Sequence, residues 1–192
     1  METLARLKMN NKEQTQIIFD NFSKMLLRRG LIKNTKNTLE KLKSITDTKG
    51  FYSWKDGDND FLLIITFSKL NGIKKNSDIE EVLIKTKSLN KFVIAQASSN
   101  KTYSQIKDFK AELFITTEFL TDIPSNPLVP EHILLDEKQK EEFLKVYQEK
   151  NIAKILQDDM MVRYLGAQKG DIIRIIRKSF NTGESIYYRR VV

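Results

Sequence analysis

Cysteine is absent from this 192-residue chain, histidine occurs once, and proline occurs three times. Without cysteine there is no disulfide framework, no zinc-thiolate site and no thiol nucleophile. The lone His132 removes any multi-histidine metal site. No window approaches the roughly 18 consecutive apolar residues of a membrane span. The N-terminal METLARLKMNNKEQ lacks the apolar core of a secretory signal. These absences predict a soluble intracellular protein with no membrane partner. What is present is charge, with a formal net of +8. Residues 1–122 carry 21 Lys and Arg against 15 Asp and Glu, and residues 123–192 carry 12 against 10, so the basic surplus is N-terminal. Such a surplus is compatible with facing nucleic acid, because lysines near phosphates release counterions. From charge alone base composition is the stronger reading, since lysines outnumber arginines 25 to 8, as an A+T-rich genome produces.

Hydrophobic periodicity organises the first two thirds. Asn11 to Arg29 places Ile17, Ile18, Phe22, Met25 and Leu26 on one helical face, and Gly30 follows as a left-handed cap. Thr38 to Ser44 predicts a second short helix with Leu39, Leu42 and Ile45 inward. Gly50 to Asp60 collects Gly, Asp, Asn and Ser around Trp54 and reads as a turn-rich connection into the strand Phe61 to Phe67. Ser77-Asp78-Ile79-Glu80 has the form of a capping box and opens a helix to about Leu89, burying Ile79, Val82 and Leu83. Phe92 to Ala95 then reads as a strand, Tyr103 to Phe109 as a helix and Glu112 to Thr116 as a strand. This alternation predicts an α/β sheet with helices packed on it.

The character changes at Thr121 to Pro130, which holds Pro124, Pro127 and Pro130. Three prolines so close predict an extended linker and a boundary between residues 1–122 and 123–192. Beyond it, Asp136 caps a helix with Phe143, Leu144 and Tyr147 inward, and a turn at Asn151 leads through two short helical pieces to Leu165. Asp171 to Arg177 alternates Ile173 and Ile175 against Ile172 and Ile176. Asn181-Thr182-Gly183 supplies a turn, and Ser185 to Val192 returns as the second strand of a hairpin. A hairpin with two apolar faces needs a helix on one side and further cover on the other, for which a partner chain is the economical reading.

LVPEH at Leu128 to His132, followed after a helix by RYLGAQKGDIIRIIRKS and the closing YYRR, makes one register of about 65 residues. The matching positions are Leu128, Val129, Pro130, His132, Asp159, Arg163, Tyr164, Gly166, Gly170, Ile176, Arg177, Ser179, Tyr188 and Arg189. This block resembles the C-terminal assembly domain of the fifth subunit shared by eukaryotic nuclear DNA-directed RNA polymerases, a family with an archaeal counterpart that lacks the N-terminal module. Met160 stands where that family commonly has proline, which forgoes some preorganisation of the following helix. The resemblance implies an α/β, nuclease-like jaw module at 1–122 and a small α+β assembly module with a β-hairpin at 123–192. It implies a non-catalytic subunit, without cofactor or metal, docked on the largest subunit among other polymerase subunits and bracing the jaw near downstream duplex DNA. Its location would be the nucleus, or host cytoplasm and virion for a viral homologue, a source the lysine-rich composition suggests. The expected partner interface is Pro130, His132, Arg163, Tyr164, Gly166, Gly170, Ile173, Ile175, Arg177, Tyr188 and Arg189. Lys74, Lys75 and Lys101 are the candidate DNA-facing lysines. The family's T-P-S-A loop is replaced by Ala97-Ser98-Ser99-Asn100-Lys101-Thr102, which lacks the proline.

Two other classes stay open: a metal-dependent nuclease and a free-standing DNA-binding factor. Asp56, Asp58 and Asp60 precede a strand, and Asp108-Phe109-Lys110 or Asp47-Thr48-Lys49 offers an acidic-x-Lys pair. Magnesium needs carboxylates converging from adjacent strand ends, whereas these sit in a Gly/Asn-rich turn or on a polar helix, so solvated surface is the favoured reading. His132 has no Ser-His-Asp ordering around it and reads as a structural hydrogen-bonding residue. Arg163, Arg174, Arg177, Arg189 and Arg190 gather near the hairpin, where guanidinium forks suit interface carboxylates. Gly166 and Gly170 read as positions needing positive φ, and Trp54 as a core anchor.

Overall fold

The computed structural model describes residues 2–45, 49–86, 90–179 and 183–192, and these divide into two compact units, Met1–Thr121 and Asp122–Val192. In the first unit, α1 (Glu2–Leu7), α2 (Asn11–Arg28) and α3 (Thr35–Ser44) lead into β1 (Phe51–Asp56) and β2 (Asn59–Leu70). Then α4 (Asp78–Lys85), β3 (Asn90–Ser98), α5 (Asn100–Asp108) and β4 (Ala111–Ile115) follow. The sheet order is β1-β2-β3-β4, with β1 antiparallel to β2 and the rest parallel. It is a mixed α/β sheet.

Alternation along the strands sends two sets of side chains to two layers of helices. Phe22 of α2 meets Trp54 and Phe92 edge-on, and Trp54 stacks on Phe61 at 5.0 Å. On the other face Leu62, Ile64, Val93, Ala95 and Leu113 pack with Leu83 of α4 and Ile106 of α5. Helix ends follow the expected chemistry. Asn10 and Glu13 form a reciprocal capping box at α2, and Ser77 and Ser99 accept N–H groups at the starts of α4 and α5.

The expected connection at Gly50 to Asp60 is instead a strand turned by Gly57 and Asp58 into β2. Its Tyr52 and Trp54 are buried while Ser53 and Lys55 are exposed, a period of two that the surrounding Gly and Asp residues conceal. The helix expected to reach Leu89 ends at Lys85, where Thr86 has turned to extended backbone, and residues 87–89 lie outside the described ones.

The second unit opens not with an extended linker but with a 3-10 turn at Ile123–Ser125, because Pro124 fixes a φ suited to a helical first turn. It contains β5 (Glu131–Leu134), α6 (Glu137–Val146), β6 (Ala153–Ile155), α7 (Met160–Leu165), β7 (Ile172–Ser179) and β8 (Gly183–Val191), with sheet order β5-β7-β8-β6. Two of these strands, β5 and β6, correct the simple hairpin. They are 4 and 3 residues long, too short to show a period. Helix α7 covers one face, where Val162 packs with Ile173, Ile175 and Val191. Helix α6 covers the other, where Phe143 and Leu144 pack with Ile172, Leu135, Ile152 and Tyr188. Asp136 caps α6 through a capping box with Gln139. Tyr147 is not inward: it ends α6 at 55% exposure with its ring stacked on Phe143. The turn residues Asn181 and Thr182 lie outside the described residues.

Candidate partner and nucleic-acid interfaces

The hairpin is sealed at its base and open toward its tip. Eight residues of β7 span about 26 Å, whereas the ten residues of α6 span about 15 Å. The helix packs on Ile172 and Tyr188, while in the pair beyond them Ile176 is half-buried and Ile186 exposed. Cross-strand register puts Ile133, Arg174 and Tyr188 in one row on the α6 face, and Glu131, Ile176 and Ile186 in the next. Ile186 is 55% exposed. The aromatic series Tyr188, Phe143, Tyr147, with centroids 4.3 Å and 4.6 Å apart, borders these rows. On the opposite face Tyr187, 50% exposed, lies across from Ile175 under the Arg177 guanidinium at 5.3 Å.

Three expected interface residues belong to the core instead. Ile173, Ile175 and Tyr164 are 0%, 4% and 2% exposed, because α7 and the chain's own turns close over that face. Gly166 ends α7 at φ 71 in a Schellman arrangement: its N–H donates to Arg163, that of Ala167 donates to Val162, and Ala167 and Val162 share the core. Gly170, at φ 93, donates to the Val191 carbonyl. Pro130 and His132 are half-buried, with the His132 Nδ1 2.7 Å from the Pro130 carbonyl, an intramolecular structural contact. Arg163 and Arg189 donate to the backbone carbonyls of Asp158 and Lys154. Arg177 stays at the surface.

The structure also brings the candidate lysines together. Lys74 and Lys75 lie in the loop after β2, and Lys101 lies in the first turn of α5. Gln105 of α5 clasps that loop, accepting the Ile73 N–H at 2.8 Å and donating to its carbonyl at 3.4 Å. The Lys101 stem runs within 3.6 Å of where a Gly72 Cβ would stand. All three lysines are exposed, at the edge where the parallel strands β2 and β3 end. Outside the carboxyl ends of parallel strands is where open α/β sheets bind ligands.

The aspartates do not converge. Asp56 is held by Lys41 at 2.7 Å and Asp60 stands across the strand from Lys55, while Asp108 is exposed on α5. Among the described residues no group of three His, Asp or Glu is placed to hold a metal ion; Asp47 and Thr48 lie outside them.

Residues 121–191 match the family model for RNA polymerase Rpb5, C-terminal domain. The whole chain is 30% identical over 205 aligned positions to DNA-directed RNA polymerase subunit 5 of Acanthamoeba polyphaga mimivirus, covering 98% of that protein. The chain belongs to the DNA-directed RNA polymerase subunit 5 family. Within the family, the Dictyostelium discoideum subunit rpabc1 of DNA-directed RNA polymerases I, II and III is 37% identical over 92 residues, 47% of each chain. The Archaeoglobus fulgidus DNA-directed RNA polymerase subunit Rpo5 is 43% identical over 67 residues, 88% of that protein and 34% of this chain.

The exposed Ile186 and Tyr187 of β8 and Tyr147 at the end of α6 are candidate contact residues that sequence reasoning missed. Ile186, Tyr187 and Tyr147 do not stand out singly. Comparing the length of α6 with that of the strands it must cover would have pointed to them.

Proposed function

We propose that this chain is a non-catalytic structural subunit of a multisubunit DNA-directed RNA polymerase, held on the largest subunit by the uncovered end of its C-terminal sheet. The observation that carries the docking reading is Ile186, half exposed on a hairpin whose base is enclosed on both faces by its own helices. An aliphatic patch flanked by stacked aromatics, with Tyr187 and Arg177 on the other face of the same strands, is the composition of an interface anchor. Pro130, His132, Gly166, Gly170 and Arg189 then act by shaping the sheet rather than by touching the partner, while Arg163, Arg177 and Tyr188 border the contact. The chain works inside the cell, in the nucleus, or in host cytoplasm and virion for a viral polymerase. Full-length Ile186→Asp should copurify poorly with the largest polymerase chain while melting like the parent. Equal incorporation of the variant refutes the docking reading.

The N-terminal unit takes the jaw position toward downstream duplex DNA, with Lys74, Lys75 and Lys101 near phosphates. The clasp by Gln105 supports this, since it holds three cations on one edge before any ligand arrives. Reversing all three to Glu should make transcription complexes release template at lower salt, read as the midpoint of a salt titration. An unchanged midpoint would remove the lysines from the DNA path.

A further inference from the structure

Arg174 lies on the α6 face between Ile172 and Ile176, half-buried, in one row with Ile133 and Tyr188. Its Nε is sealed from solvent and has no hydrogen-bond partner among the described residues. Arg190, one row away beside Ile172, also has an orphaned Nε, yet its terminal nitrogen is paired with Glu149. Arg174 has no such ion pair among the described residues. The carboxylate nearest in register is Glu131, on the edge strand opposite Ile176; its side chain is exposed and makes no bond to Arg174. Lys178 and Glu184, at the tip, pair with each other. A guanidinium cannot shed its proton, so part-burying one among isoleucine and tyrosine without an acceptor is costly unless an acceptor arrives.

We infer that the α6 face of the C-terminal sheet receives an acidic segment of a neighbouring polymerase subunit, whose carboxylate is taken end-on by the terminal nitrogens of Arg174 while an apolar residue beside it seats against Ile176 and Ile186. The inference rests on the docking reading and specifies its chemistry. Charge complementarity selects this occupant: the unpaired cation lies amid apolar and aromatic surface, and its two terminal nitrogens, which are not among the sealed atoms, form the two-pronged donor that fits a carboxylate. A phosphate backbone fits less well, because Ile133, Ile176 and Ile186 would stay wet against it.

The test uses full-length Arg174→Met, Arg174→Lys and Ile186→Asp, each measured for melting temperature alone and for affinity toward polymerase lacking this subunit. Arg174→Met should melt at or above the parent temperature, since it removes an unpaired charge, yet bind the polymerase at least tenfold more weakly. Arg174→Lys, which keeps the charge and loses the fork, should recover only part of that loss. Parent-like binding by Arg174→Met with loss in Ile186→Asp overturns the carboxylate seat and leaves the docking reading standing. Parent-like binding by both overturns both. A fall in melting temperature for Arg174→Met would make Arg174 a folding residue and overturn the inference. So would self-association of the purified chain that Ile186→Asp abolishes, since the occupant would then be a second copy.

Discussion

Gly50 shows how a single backbone position constrains two strands. Its carbonyl accepts the Ile65 N–H at 2.8 Å, its φ is 82°, and a Cβ there would collide with the Ile65 carbonyl oxygen. A left-handed conformation costs a side chain about 1–2 kcal/mol, and the collision adds to that. Gly50→Ala should lower unfolding free energy by more than about 2 kcal/mol in a urea titration. Arg29 is a second such residue: its side chain is 6% exposed and both terminal nitrogens meet Glu112 at 2.7 Å, above the Phe92 ring. Glu112→Ala should cost roughly 1–3 kcal/mol by removing the carboxylate that both terminal nitrogens of that buried guanidinium meet. Legibility differs between these positions. Gly30 and Gly166 were readable because each follows a periodic helix, whereas the need for Gly50 arises from a carbonyl across the sheet. The partner of Arg29 and the part-burial of Arg174 were equally invisible, since a long side chain's burial is decided by what folds over it.

At the scale of elements, caps and periods carried the reading. Ser77 and Asp136 accept the N–H groups expected of them as N-caps, while the caps Asn10 and Ser99 were not read, and α5 starts at Asn100 rather than Tyr103. Asp136→Ala should cost about 1 kcal/mol, seen as a lower thermal midpoint for the C-terminal unit. The central strands β2, β3 and β4 were legible as apolar runs because helices bury both of their faces. Strands β1, β5 and β6 were not. One is interrupted by polar residues facing water, and the other two owe their form to pairing with the hairpin rather than to composition. The interface suffered for the same reason. Ile173 and Ile175 look sticky in sequence, and only the placement of α7 reveals that the chain uses them itself. Conversely, Tyr147 looked like core and stands at the rim, because α6 stops beneath it.

For the whole molecule, the described residues divide between Thr121 and Asp122, and the proline-bearing segment that follows coils into turns rather than stretching. Ser125, Asn126, Pro127 and Leu128 are exposed there. Limited proteolysis should cut first in this stretch and leave two resistant fragments, identified by mass; prior cleavage inside either unit would contradict that division. The single tryptophan supplies an optical consequence. Trp54 lies at 8% exposure, stacked on Phe61 within the N-terminal unit, while the C-terminal unit has tyrosine and phenylalanine but no indole. Its emission is thus a private reporter on one half of the polypeptide. Any gap between the temperature at which that glow shifts red and the temperature at which far-ultraviolet dichroism collapses would measure how independently the halves come apart.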